Sequence, residues 1–258
     1  MELAVSTLSI YNRRDGDVIN LIREHPDIKN WEILDEGYHR LDNNLIRELK
    51  AMSRNNIRFS VHAPFSSINL SESDISLRTK FLELVLASID RAAEIDARVV
   101  VVHAGHLSPF TFWFPDEAAK ALSESLQVLA KRGKANGVKI AVETGMRPWD
   151  MFNKPEDMAR YLDGIEGIWS CIDTGHASVN GDVISFIQGS PRLYHAHIHD
   201  NSGEKDEHLP PGRGSINWQG VFKQFREMDY RGWLVAENHS LEEALEGLDY
   251  IKKMLKGF

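Results

Sequence analysis

The chain has 258 residues, 42% hydrophobic and 26% charged, a balance that suits a globular enzyme and needs no disulfide staples to hold its core. A formal net charge of −8 with no Lys/Arg-rich run disfavours nucleic acid as a partner, because a sequence-independent grip on DNA relies on cations that neutralise phosphates. The one cysteine, Cys171, excludes an internal disulfide framework and points to a reducing, cytoplasmic setting; no apolar run approaches the ~18 residues of a membrane span, and "MELAVSTLSIYNRRDGD" has no signal-peptide character. Short β-rich runs then alternate with longer stretches of helical period. "ELAVST" (Glu2–Thr7) reads as a strand and "DVINLIREH" as a helix, followed by "NWEIL" (Asn30–Leu34) and the helical "NNLIRELKAMSRNN". "IRFSVH" (Ile57–His62) precedes "SLRTKFLELVLASIDRAAEI", whose Phe81, Leu84, Val85, Ala92 and Ile95 lie on one face. "RVVVVH" (Arg98–His103) is apolar on both faces, as a buried parallel strand is, and the helix after it stops at Gly137.

"VKIAVE" comes next, then a helix near "KPEDMARYLDG". "IWSCID" is followed by "GDVISFIQG", "RLYHAHIH" by "WQGVFKQFREMD", and "GWLVAE" by "LEEALEGLDYIKKMLKG". These are eight β-α repeats without a linker, so the expected fold is α/β, a single (β/α)8 TIM barrel domain over 1–258. An open doubly wound sheet is the runner-up, and it lacks the glycine fingerprint after the first strand.

Polar residues fall where a barrel builds its site. The third strand ends in His62, the fourth in His103 and the fifth in Glu143; the sixth ends in Asp173, with His176 three residues on. The seventh ends in His199 and the eighth in Glu237, while Asp206 and His208 follow in the next loop. Singly, each has an ordinary structural explanation, such as a helix cap or a hydrogen-bonded histidine. Together they converge on one rim, where buried carboxylates would be costly unless paired with a cation. Imidazole with carboxylate suits zinc or manganese. His195 and His197 alternate with His199 and are expected to be buried in the barrel interior, with His197 in reach of the metal ligands. His239 is a further candidate for the pocket wall, and His106 is the other loop histidine near the rim.

The ordered set "SVHAPF", "VVVHAG", "AVETG", "IDTGHA", "HIHDN…DEHLPPGRGSINW" and "WLVAEN" resembles the xylose isomerase-like TIM barrels, a group that includes sugar phosphate isomerases/epimerases and the apurinic endonuclease IV family. The resemblance spans nearly the whole chain. Its epimerase-like version implies one divalent ion on Glu143, Asp173, His199 and Glu237, with the two glutamates moving a proton at carbon and His176 polarising an oxygen. Its endonuclease-like version adds His62, His103, His176, Asp206 and His208 and implies three zinc ions; all nine positions carry the matching residue type. The four carboxylates carry −4 when ionised, so one divalent ion leaves −2, suited to a neutral sugar, and three give +2, suited to a phosphate. One to three Zn or Mn ions are therefore expected, with two or three favoured by the ligand count. The primary reading is a metal-dependent isomerase or epimerase of a small sugar or sugar phosphate. The alternative is a zinc phosphoesterase in which Glu143 bridges metals and serves as base. Arg213 in "PPGRG" is a candidate phosphate partner. The aromatics Phe110, Phe112, Trp113 and Phe114 are candidates to cover a sugar, to wedge into DNA or to form a homodimer contact, with Phe112 and Trp113 the substrate-facing choices.

Overall fold

The computed structural model, which describes residues 1–13 and 17–256, contains a closed parallel barrel with strand order β1-β2-β3-β4-β5-β6-β7-β8. The strands are β1 (Glu2–Ser6), β2 (Asn30–Leu34), β3 (Arg58–His62), β4 (Val99–His103), β5 (Lys139–Glu143), β6 (Ile168–Asp173), β7 (Leu193–Ile198) and β8 (Trp233–Ala236). The expected (β/α)8 architecture is therefore the observed one. The alternation of strand side chains sorts the residues between layers. Trp31 and Ile33 of β2 turn outward into the shell of helices, and Glu32 between them turns into the barrel. The four valines of β4 are buried on both faces: Val100 and Val102 meet the helices, while Val99 and Val101 pack with Ala141 and Cys171 in a separate inner cluster.

Helices cover the barrel because their apolar stripes match it. The helix Pro115–Asn136 buries Leu122, Leu126 and Leu129, opens on a proline and carries Asp116 and Glu117 in its first turn. It ends as expected at Gly137, whose φ of 70° is left-handed and lets its amide reach back to Gly133 and Lys134. Asp17, Asp42, Asp74 and Asp182 each cap a helix by accepting from its first free amides, a contribution of about 1 kcal/mol apiece. The last helix is Leu241–Lys256, and Gly257, expected within it, lies outside the described residues. None of the described helices is long and apolar enough to cross a membrane.

The structure adds two helices to the reading. Thr174–Asn180 directly follows β6, and Pro109–Trp113 lies between β4 and the long helix that ends at Gly137. Both are short and lack an apolar period, and both are set by their caps: Asp173 accepts from the His176 amide, and Ser108 forms a reciprocal box with Thr111. β7 and β8 also stop one residue earlier than expected, at Ile198 and Ala236, so His199 and Glu237 stand just beyond the ladder.

Candidate metal centre at the barrel rim

Parallel register carries the ligand candidates to a common level. His103 pairs with Glu143 across β4 and β5, and Asp173 pairs with His197 across β6 and β7. The carboxylates and imidazoles interlock there. Glu143 is divided between its two oxygens: Oε2 lies 2.8 Å from His103 Nε2 and 3.2 Å from His62 Nε2, while Oε1 lies 2.8 Å from His197 Nδ1. Asp173 does two jobs, capping the next helix through Oδ1 and meeting His199 Nε2 at 2.9–3.0 Å. Asp206 Oδ2 is 3.0 Å from His208 Nε2 and 3.5 Å from His176 Nε2.

Two observations fit this cluster to divalent metal. Three rim histidines each donate Nδ1–H to a backbone carbonyl: His62 to Ala63 at 2.8 Å, His176 to Thr144 at 2.9 Å and His208 to Glu237 at 2.6 Å. Each thereby presents Nε2 to the carboxylates, the orientation that metal-ligating imidazoles take from their supporting hydrogen bonds. Second, His199 Nδ1 and Asp206 Oδ1 are buried without a hydrogen-bond partner among the described residues, 3.6 Å apart, as two donors to one cation would be. Donor atoms of Glu143, Asp173, His197 and Glu237 lie within 4.8 Å of one another, and so do those of His199, His208 and Glu237. The ligand set therefore fits one ion or more.

Without metal, the protons take its place. Burial by itself lowers a histidine pKa and raises a carboxylate's, and here the mutual attraction overrides both. His62 is desolvated, yet its contacts with Glu143 push it up to about 9; Asp206 does the same for His208, also to about 9. His176 and His197 are likewise raised, and Glu143, Asp173 and Asp206 are held below the usual carboxylate range by the histidines around them.

A cavity of about 570 Å³ opens onto this cluster. His62, His103, Glu143, His176, Asp206, His208 and Glu237 line it, and Asp173 and His199, fully buried, stand behind them. Apolar residues complete the lining, among them Leu8, Tyr11, Leu34, Phe65, Ile68, Met146 and Met151, with the Phe65 ring against those of His62 and His103. His239 lines the cavity with its ring 4.7 Å from that of His208, and His106 lines it from the loop after β4. Arg147, which the sequence reading passed over, also lines the cavity.

Three candidates are not brought to the cavity. Arg213 is an exposed residue whose Nε donates to Glu246 at 2.7 Å. Phe112 and Trp113 meet edge to face, with ring centroids 6.1 Å apart, on the exposed face of the short helix after β4, outside the cavity lining. Helical geometry decides this: the helix buries Thr111 and turns its aromatics to solvent.

Other residues support the site and were missed. Asp200 is buried and gathers the loop that carries Asp206 and His208, accepting from the amides of Gly212 and Ile216 and from Trp218 Nε1. Its adjacency to His199 in "HIHDN" was the only signal, and an aspartate after a strand is too common to stand out. The glycine of "DTGH" has a definite role: a Cβ at Gly175 would lie 1.9 Å from the His199 ring. We expect Gly175→Ala to displace His199 and weaken Mn2+ binding at least about tenfold, as disturbed ligand support typically does, measured by calorimetric titration of chelator-stripped protein.

A closed barrel with carboxylates and histidines gathered at the C-terminal strand ends is a (β/α)8 protein with its candidate site on the rim where such barrels build theirs. The chain belongs to the xylose isomerase-like TIM barrel family, whose model matches residues 19–254. It is 28% identical to an uncharacterized protein of Methanocaldococcus jannaschii over 99% of this chain and 90% of that one. It is 27% identical to the 3-dehydro-D-guloside 4-epimerase of Escherichia coli strain K12, over 62% of this chain and 64% of the relative. A solved D-tagatose 3-epimerase-like protein superimposes with a TM-score of 0.92 at 28% identity, covering 99% of this chain and 97% of that one.

Proposed function

We propose that the protein is a divalent-metal-dependent isomerase or epimerase that moves a proton at a carbon of a small sugar or sugar phosphate. The observation that carries this reading is the convergence of Glu143 and Glu237 at the wall of one cavity with Asp173 buried behind them, donor atoms of all three lying within 4.8 Å of one another. Relatives named as sugar epimerases support the substrate class. Glu143, Asp173, His199 and Glu237 would hold the ion, which supplies charge that polarises substrate oxygens and acidifies the neighbouring C–H. Glu143 or Glu237 then takes the proton from carbon and the other returns it. His176, tethered through Nδ1, directs Nε2 toward Asp206 at 3.5 Å, and from there it would polarise a substrate oxygen. The apolar residues of the lining would limit water beside the carbanionic stage.

His62, His103, Asp206 and His208 line the same cavity and exceed the needs of one ion, which favours phosphoester hydrolysis on two or three zinc ions as the second reading. Incubation with ketoses, aldoses and their phosphates in D2O separates the two. Deuterium entering a carbon position supports proton transfer; no uptake, together with release of alcohol from a phosphodiester, overturns it.

Arg147 bears on which sugar. It is exposed at the cavity wall, its amide is pinned by Asp150 at 2.9 Å, and its guanidinium forms no ion pair among the described residues. For a phosphorylated substrate, Arg147→Gln is expected to raise KM about tenfold or more with kcat little changed, and to leave unphosphorylated sugars unaffected, as steady-state kinetics on matched pairs would record.

A further inference from the structure

Beneath the rim, the barrel interior holds a second carboxylate that the mechanism does not use. Glu32, in the middle of β2, is fully buried between two histidines. Its Oε2 accepts from Ser60 Oγ at 2.9 Å and meets His195 Nε2 at 2.8 Å. Its Oε1 lies 2.9 Å from Nε2 of His197, an ion-pair contact out of line for a hydrogen bond. The other nitrogen of that imidazole, Nδ1, is the one that donates to Glu143 Oε1 at 2.8 Å.

We propose that Glu32 is a positioning residue for Glu143, acting through His197. This rests on the reading of Glu143 as a metal ligand and proton-transfer carboxylate. His197 Nδ1 faces three carboxylates: Glu143 at 2.8 Å, Glu237 at 3.4 Å and Asp173 at 3.8 Å. Left to those three, the ring has no single preferred partner. An anion fixed on its far nitrogen sets the tilt of the ring and keeps a donor directed at Glu143 Oε1. The consequence is a division of labour at Glu143, with Oε1 tied down from below and Oε2 left toward His62, His103 and the cavity. Ser60 and His195 hold Glu32 itself, so the chain of contacts ends in side chains from β3 and the lower part of β7. A barrel core needs none of this for stability, since well-packed apolar residues often serve as well as a buried ion pair.

Glu32→Gln tests the role because it keeps shape and removes charge. On chelator-stripped protein, calorimetric titration is expected to show Mn2+ affinity weakened about 10–100-fold, the usual cost of losing a ligand's support. The visible spectrum of the Co2+ form should shift with it. Deuterium uptake should lose kcat by a similar factor with KM within about twofold, and Glu32→Asp should recover part of the loss. Should Glu32→Gln fail to fold, Ser60→Ala removes one donor to Glu32 and should move affinity and spectrum in the same direction by less. A folded Glu32→Gln with wild-type affinity and spectrum overturns the proposal. So does loss of one whole metal equivalent at saturation, which would make Glu32 a ligand in its own right. Wild-type protein that binds Mn2+ but exchanges no sugar proton sinks the isomerase reading, while the affinity and spectral comparisons still decide the role of Glu32.

Discussion

Glu143→Gln is expected to lower the rate of solvent-deuterium uptake by at least about a thousandfold, because under the proposed mechanism it removes a proton-transfer base and a metal ligand with one change. The amide preserves the volume of the side chain, but it cannot take a proton from carbon. It also disturbs the arrangement around it, since both oxygens of Glu143 are engaged: Oε2 with His62 and His103, Oε1 with His197. Metal affinity should therefore fall as well, and the two losses separate experimentally. Uptake measured at saturating Mn2+ reports the base, and titration of stripped protein reports the ligand. Glu237→Gln should behave similarly toward uptake, but its link to His197 is longer, at 3.4 Å, so its effect on the other ligands should be smaller. A Glu143→Gln protein that exchanges protons at the wild-type rate would remove Glu143 from the chemistry.

Stripping the metal should abolish deuterium uptake and invert the pH dependence of stability. A histidine whose pKa rises on folding contributes stability fully below its unfolded value near 6.5 and loses it as pH climbs through the folded value. His62 and His208, both raised to about 9, place that loss between roughly pH 6.5 and 9. The depressed carboxylates Glu143, Asp173 and Asp206 contribute stability that is present above the ordinary carboxylate range and lost in acid. Metal-free protein should thus be most stable in the mildly acidic window between the two losses, and its Tm should fall by roughly 5 °C or more from pH 6.5 to 9. Metal-loaded protein should show the opposite trend over that range, because imidazoles must shed protons to bind the ion and alkaline pH strengthens binding. Differential scanning in chelator and in excess Mn2+ compares them directly. Parallel curves in both conditions would show that these histidines are not ligands.

The barrel was legible because its elements announce themselves locally. A run such as Val99–Val102 is β-branched and apolar on both faces, and Leu122, Leu126 and Leu129 repeat at helical spacing, whatever they pack against. The gathering of carboxylates and histidines at the rim was legible for a related reason: strand ends in a barrel share one face, so polarity at the end of each strand is a positional signal. Short helices set by a cap, such as Thr174–Asn180, carry no such period and were not seen. Glu32 did leave a trace, a carboxylate between two apolar neighbours in "NWEIL", since strand alternation puts it opposite the helix-facing Trp31 and Ile33.

By itself, then, the sequence determined the number and order of the strands, the closed barrel they form and the residue types at its rim, because these follow from periodicity and strand direction. Only the tertiary structure decided who touches whom. It put Arg213 on the surface with Glu246, left Phe112 and Trp113 outside the cavity, brought Arg147 to its wall, and joined Glu32 to Glu143 through His197. Those outcomes depend on register, helix rotation and loop path, which set distances of a few ångströms between residues more than a hundred positions apart in the chain, as Glu32 and His195 are.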